Sequence, residues 1–144
     1  MILLDTNVLS EVMRASPDST VLRWLDGQPS ADVLISAVTV AEIRLGLARL
    51  PEGHRKSALT ERAEAMFRED FSEDCLAFDA SAAAAYAEIV ARRTRLGRPI
   101  SVEDAQIAAI ARAGGLTLAT RNTKDFLEIE GLTLVNPWEV TQTR

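Results

Sequence analysis

The sequence predicts a three-layer α/β/α sandwich with a short, mainly parallel central sheet of four to five strands. Two observations favour this fold class. Short runs rich in Leu, Ile and Val alternate with longer alanine-rich amphipathic segments, and the short runs are apolar throughout rather than alternating with polar residues. Strands of that kind are typical of parallel sheets, because helices cover both faces. At 144 residues, we expect a single domain spanning residues 1–144.

Each strand is predicted from a short β-branched or leucine-rich run. In chain order, these strands are Ile2–Leu4, Val33–Ile35, Leu76–Phe78, Leu116–Ala119 and Leu132–Val135. The helices are predicted from apolar residues at helical spacing, and proline or glycine follows most of them. In chain order, they are Thr6–Met13, Asp18–Leu25, Thr39–Leu50, Arg55–Phe71, Ser81–Leu96 and Ser101–Ala113. Ligands of parallel sheets bind beyond the carboxyl ends of the strands, so polar residues there are the functional candidates.

Composition excludes several classes of protein. The first residues carry no basic segment and no apolar run is long enough to span a membrane, so we expect a cytoplasmic protein. The lone Cys75 excludes a disulfide framework, and its place at the start of a predicted buried strand indicates a core thiol. The lone His54 disfavours a catalytic triad. Taken alone, the formal charge of -5 argues against a nucleic-acid partner.

Four acidic residues are expected at one edge of the sheet. Asp5, Glu42 and Asp125 each follow a predicted strand closely, and Asp104 shares a helical stripe with Ile107, which directs it inward or along the rim. Each acid also has a purely structural interpretation. Asp5 is a candidate N-cap, Asp125 belongs to a possible helical turn, and Glu42 and Asp104 fit capping boxes.

The joint placement of these acids is more specific than any one of them. Four carboxylates at one edge repel one another unless cations neutralise them, and an oxygen-only ligand set favours Mg²⁺ or Mn²⁺. Such ions activate water for attack on phosphodiesters. Nearby hydroxyl and amide side chains are candidates for orienting the ligands, although turn and cap chemistry also explains them: Thr6, Asn7, Thr120 and Asn122.

Two charged clusters lie outside the acidic edge. The basic cluster ends the fifth predicted helix and either stabilises that helix terminus or contacts phosphates of a nucleic acid beside the metal site; it comprises Arg92, Arg93, Arg95 and Arg98. The acidic cluster is interpreted as a solvated surface and comprises Glu69, Asp70, Glu73 and Asp74.

Four segments, in this order along nearly the whole chain, resemble the motifs of PIN-domain proteins, specifically VapC-type toxins of bacterial type II toxin–antitoxin pairs. These segments are Asp5–Val8, Ala41–Gly46, Asp104–Ala109 and Thr120–Phe126. The closing Asn136-Pro137-Trp138 and the overall length are similar to the FitB-like branch.

The resemblance implies an Mg²⁺- or Mn²⁺-dependent endoribonuclease that a small DNA-binding antitoxin inhibits. It also implies a homodimer that forms hetero-oligomers with the antitoxin and reaches promoter DNA only through it. By position, Asp5, Glu42 and Asp104 match three acids of the family's metal site. Either Asp125 or Asn122 completes the site, because some relatives carry an acid at the position of Asn122.

Two other functions are alternatives to the ribonuclease. In one, the chain is a non-enzymatic partner of a DNA-binding antitoxin, its acids receive a basic side chain, and the complex represses its own promoter. In the other, Asp5 accepts a phosphoryl group, which the asparagine at position 7 disfavours. The negative charge is compatible with RNA if the four acids bind metal, and RNA binding is then expected to depend on divalent ions.

Overall fold

A parallel sheet forms the centre of the computed structural model, which describes residues 1–71 and 75–140. Its strands are β1 (Ile2–Leu4), β2 (Val33–Ser36), β3 (Cys75–Leu76), β4 (Thr117–Ala119) and β5 (Thr133–Val135). Their order across the sheet is β3-β2-β1-β4-β5, and every neighbouring pair is parallel. The register places Leu3 of β1 between Leu34 and Leu118. The predicted fold class is confirmed.

Helices connect the strands and cover both faces of the sheet. They are α1 (Thr6–Val12), α2 (Ser19–Asp26), α3 (Ala37–Ala48), α4 (His54–Glu69), α5 (Ala80–Arg95) and α6 (Val102–Ala113). Short 3₁₀ turns cover Ser30–Asp32 and Thr123–Phe126. The largest difference from the predicted helix bounds is two residues. It occurs at both ends of α3, where Ser36 rather than a later residue caps the helix, and at the end of α4.

Alternating strand residues build two separate cores. Leu3, Leu34 and Leu118 face α5 and α6, where they pack with Ile107 and Ile89. The neighbouring strand residues point the other way and pack against α1 to α4, among them Leu4, Ile35 and Ala119. This alternation explains why the strands are apolar throughout, since each successive side chain enters a different core.

The third strand differs from its prediction. It covers Cys75–Leu76 instead of Leu76–Phe78, and it pairs only with β2 at the edge of the sheet. Cys75 is exposed, so the expected core thiol is wrong. The reason is that a two-residue edge strand is covered less completely than the central strands. Glu73 and Asp74 of the acidic cluster lie outside the described residues, whereas Glu69 and Asp70 are exposed as expected. No helix in the described ranges is long and apolar enough to cross a bilayer.

The strand order creates a ligand-binding crevice at β1. From β1 the chain builds one half of the sheet through β2 and β3, and it then crosses to the other side of β1 to add β4 and β5. The connections therefore diverge at the carboxyl ends of β1 and β4, which is where parallel sheets bind ligands. Asp5 follows β1 directly, and Thr120 follows β4 directly.

Candidate functional site

An open cleft of about 500 Å³ lies at this edge of the sheet. Asp5, Glu42 and Asp104 line it, together with Asn122. Three of the four predicted acids, contributed by the end of β1, α3 and α6, are thus brought to one cleft. None of these three carboxylates forms a salt bridge with a basic side chain in the described part of the chain.

Asp5 is the most buried carboxylate of the cleft, with 4% of its surface exposed. Its Oδ1 accepts a hydrogen bond from the Thr6 amide at 2.8 Å, so Asp5 is also the N-cap of α1. Its Oδ2 accepts from the Thr120 hydroxyl at 2.7 Å and from Asn7 Nδ2 at 3.3 Å. The pKa of Asp5 is raised to about 6, mainly by burial. The hydrogen bonds from Thr120 and Thr6 act against this rise, and the charges of Asp104 and Glu42 contribute to it.

Glu42 is held from across the cleft. The N-cap of α3 is Ser36, whose Oγ accepts from the Thr39 amide at 3.1 Å, so the capping-box interpretation of Glu42 is wrong. Instead, Glu42 Oε1 accepts a hydrogen bond of 2.6 Å from the Thr6 hydroxyl, which also lies 3.0 Å from the Thr39 hydroxyl. Thr6 therefore joins the start of α1 to the acid on α3.

Asp104 lies in the first turn of α6. Ser101 caps the helix, its Oγ accepting from the Asp104 amide at 3.2 Å. Asp104 is half-buried and Glu103 is exposed, as the helical stripe predicted. Burial raises the pKa of Asp104, the Ser101 side chain lowers it, and the nearby charges of Asp125 and Glu103 raise it.

The predicted hydroxyl and amide residues form one hydrogen-bonded network around Asp5. Thr120 is fully buried, and besides donating to Asp5 its Oγ1 accepts from Asn7 Nδ2 at 3.4 Å and from the Asn122 amide at 3.1 Å. Asn7 Oδ1 in turn accepts from the Arg121 amide at 3.3 Å. These contacts fix the orientation of the Asp5 carboxylate, which is the role expected of groups around a metal ligand.

Asp125 stands at the margin of the cleft. It belongs to the 3₁₀ turn Thr123–Phe126, where its amide donates to the Asn122 carbonyl at 3.0 Å. Its side chain is exposed and does not line the cleft, although its charge reaches Asp104. Asn122 does line the cleft, so of the two candidates for the fourth ligand only Asn122 is a lining residue.

The chemistry of the cleft fits a hydrated divalent ion. Its carboxylates are hard oxygen ligands, and burial, together with the charges of Asp104 and Glu42, raises the pKa of Asp5. Within residues 1–71 and 75–140, no three acidic, histidine or cysteine side chains converge into a preassembled ligand set. This openness suits Mg²⁺, which is usually held by one or two carboxylates and keeps several water ligands.

The structure corrects the interpretation of the basic cluster. Arg93 is buried, and its guanidinium donates to three backbone carbonyls: Arg98 at 2.8 Å, Asp125 at 2.9 Å and Leu127 at 3.3 Å. Arg93 thus fixes the turn that carries Asp125 and is not available to RNA. Arg98 pairs with Glu128 at 3.3 Å. Arg92 and Arg95 line a separate depression whose other ionisable residues are Glu88, Arg112, Glu128 and Glu130.

We expect Arg93→Ala to lower the free energy of unfolding by about 3 kcal/mol, because three backbone carbonyls lose the donor that the buried guanidinium supplies. Arg92→Ala, at an exposed neighbouring position, should change it by less than about 0.5 kcal/mol. Urea denaturation of both variants measures the difference. Equal stabilities would contradict the structural role of Arg93.

Sequence analysis missed two arginines of the cleft. Arg14 and Arg121 both line it, the first paired with buried Glu11 and the second stacked on Trp138. The spacing of Glu11 and Arg14, three residues apart at the end of the first predicted helix, was the available signal for the first. Arg121 lies inside the Thr120–Phe126 motif, but nothing in the sequence shows that its side chain turns toward the acids.

Known proteins share both the sequence and the fold. The PIN domain family model matches residues 2–132. The chain is 43% identical to the VapC ribonuclease Y4jK of Sinorhizobium fredii and 44% identical to the toxin FitB of Neisseria gonorrhoeae, covering 96% of this chain and 99% of the relative in each case. A solved structure of FitAB bound to an IR36 DNA fragment superposes with a TM-score of 0.90 at 42% identity, over 100% of both chains.

The motifs recognised in the sequence, the arrangement of the sheet and the similarity over almost the full length agree with one another. The family match covers all four predicted acids, from Asp5 to Asp125. The chain belongs to the PIN-domain family.

Proposed function

We propose that this chain is a divalent-metal-dependent endoribonuclease and the toxin of a toxin–antitoxin pair. The observation that carries the proposal is that Asp5, Glu42 and Asp104 line one cleft and that, among the described residues, no basic side chain forms a salt bridge with them. Such a cleft favours a cation and, through it, the phosphate of a nucleic acid. Relatives at over 40% identity that are named as a ribonuclease and a toxin support the choice of RNA.

Asp5, Glu42 and Asp104 would hold Mg²⁺ or Mn²⁺, with Asp125 or Asn122 completing the site. When bound, the ion would supply Lewis-acid stabilisation of the phosphate and a water of lowered pKa. The chain's own residues prepare the ligands for this task. Thr120 and Asn7 keep Asp5 in one orientation, and Thr6 holds Glu42 at 2.6 Å. The raised pKa of Asp5 means that its carboxylate is only moderately favoured at neutral pH until a cation stabilises it.

The proposed partner is a small DNA-binding antitoxin. The structural relative that is described as FitAB bound to a DNA fragment supports this, as do DNA-bound VapBC complexes of similar fold. We propose that this single-domain protein acts in the cytoplasm as a homodimer, assembles with the antitoxin into a hetero-oligomer, and contacts promoter DNA only through the antitoxin.

RNA cleavage by the purified full-length chain tests the proposal. We expect cleavage of a structured RNA pool with Mg²⁺ or Mn²⁺, and no cleavage with excess EDTA, because the acids cannot polarise a phosphate without a cation. Restoring Mn²⁺ after chelation controls for irreversible damage to the protein. Metal-independent cleavage, or none with either ion while the chain still binds an antitoxin, would contradict the enzyme and favour the non-enzymatic partner.

A further inference from the structure

We propose that Arg14 and Arg121 bind phosphates of the RNA strand along the acid cleft, an inference that rests on the proposed ribonuclease function. These two residues take the RNA-binding role that was expected of the basic cluster at the end of α5, because none of the four arginines of that cluster lines the cleft. Among the described residues that line the cleft, Arg14 and Arg121 are the only cationic ones.

Arg14 is presented to the cleft by a buried carboxylate. Glu11 has 6% of its side chain exposed, and it accepts a hydrogen bond of 2.8 Å from the Asp18 amide. This bond fixes the position of the Glu11 carboxylate. Its two oxygens each lie 3.1 Å from Nη1 of Arg14, whose side chain is 64% exposed. In the described contacts only Nη1 is engaged, so Nε and Nη2 of a fixed guanidinium are available to an incoming anion.

Arg121 is fixed by different contacts. Its amide donates to Asn7 at 3.3 Å, its carbonyl accepts from Asn136 at 3.3 Å, and its guanidinium lies over the Trp138 ring at 5.0 Å from the centroid. No carboxylate in residues 1–71 or 75–140 forms a salt bridge with it, although four acids line the same cleft. The Arg121 guanidinium is therefore exposed, stacked on an aromatic ring and not paired with a neighbouring acid. Such a group is suited to bind an anion from solution.

The two arginines lie near opposite ends of α1. Arg121 is anchored beside Asn7 at the start of that helix, and Arg14 stands two residues beyond Val12, where the helix ends. Because they line one cleft from opposite ends of a helix, the two guanidinium groups reach different phosphates of one strand. RNA fits this pattern because planar guanidinium groups recognise phosphate oxygens through paired donors.

Equilibrium binding of a short fluorescent single-stranded RNA to the full-length chain tests the inference. Ca²⁺ replaces Mg²⁺, so that the RNA affinities of the wild type and the variants are compared with a divalent ion present. RNA integrity is checked on a denaturing gel. We expect Arg14→Ala and Arg121→Ala each to weaken binding about 5- to 10-fold near 0.1 M salt. Each should also reduce the slope of log K against log salt concentration by about 0.7, as loss of one phosphate contact requires.

Matched variants separate this role from a structural one. Arg23→Ala removes an exposed arginine that does not line the cleft, and its affinity and slope should equal those of the wild type. Arg14→Lys keeps a cation beside Glu11, so it should retain the salt slope even if Arg14→Ala is poorly folded. Wild-type affinity and slope in both cleft variants would overturn the inference, as would loss of binding in Arg95→Ala alone.

Two further outcomes are distinguishable. If the wild type cleaves RNA but the cleft variants bind it normally and instead lose affinity for a co-expressed antitoxin, the arginines contact the protein partner and only this inference fails. If the wild type neither binds nor cleaves RNA with divalent ions, the proposed function fails and the inference with it.

Discussion

Replacing Asp5 with asparagine is expected to reduce RNA cleavage on the order of 1,000-fold. Asp5 is the carboxylate around which the cleft is organised, and loss of its charge removes several kcal/mol of stabilisation for a divalent ion and for the charge that develops on the phosphate. Initial rates with saturating Mn²⁺ measure the effect. Asp26→Asn, at an exposed position off the cleft, makes the same chemical change and should retain wild-type activity.

The same substitution is expected to stabilise the metal-free protein. Burial raises the pKa of Asp5 from an ordinary 3.8 to about 6, so the charged form is disfavoured in the folded state. At pH 7 this costs up to about 3 kcal/mol, of which Asp5→Asn should recover about 1–3 kcal/mol, since the new amide alters the contact with Thr120. Urea denaturation in EDTA measures this. An Asp5→Asn variant that is both inactive and less stable would indicate a purely structural role for the acid.

The sign of the pH dependence follows from the raised pKa. Between pH 3.8 and about 6, the folded state holds a proton on Asp5 that the unfolded state has released. The contribution of Asp5 to the free energy of unfolding therefore increases as the pH falls through about 6, and it is complete below about 3.8. Asp5→Asn should lack this increase.

Divalent-ion binding is expected to weaken about 10-fold when the pH is lowered from about 7.5 to 5. The ion and the proton compete for the same oxygens, and a pKa of about 6 leaves roughly one Asp5 in ten ionised at pH 5. The raised pKa of Asp104 adds to the loss. Mn²⁺ titrations monitored by the electron paramagnetic resonance signal of the free ion measure the affinity at each pH. An affinity independent of pH over this range would show that these carboxylates do not bind the ion.

The sequence was sufficient to predict the fold because its strands are apolar on both sides and its helices end at clear signals. Ser101, Gly114 and Pro51 mark helix ends that agree with the structure to within a few residues. The two-residue strand at Cys75 was misplaced, since an edge strand has too few residues for its pattern to indicate its bounds or burial.

The site was predictable only in part. Strand ends indicated where Asp5 and Glu42 would lie, because parallel strands bring their carboxyl ends to one edge. Local sequence could not show that Thr6 reaches Glu42 across 36 positions, or that Arg93 turns inward to bind the carbonyls of a turn 32 residues away. Those contacts depend on how α1 meets α3 and how α5 meets the 3₁₀ turn, and side-chain charge alone gives no indication of either.

The central claim is that Asp5, Glu42 and Asp104 together form a divalent-metal site. The most direct test is a Mn²⁺ titration of the metal-free wild type, Asp5→Asn, Asp104→Asn and the control Asp26→Asn at about pH 7.5. The account predicts saturable binding to the wild type and to Asp26→Asn, with affinity reduced at least about 10-fold in the two cleft variants. A wild type that binds no Mn²⁺, or cleft variants that bind it as tightly as the wild type does, would contradict it.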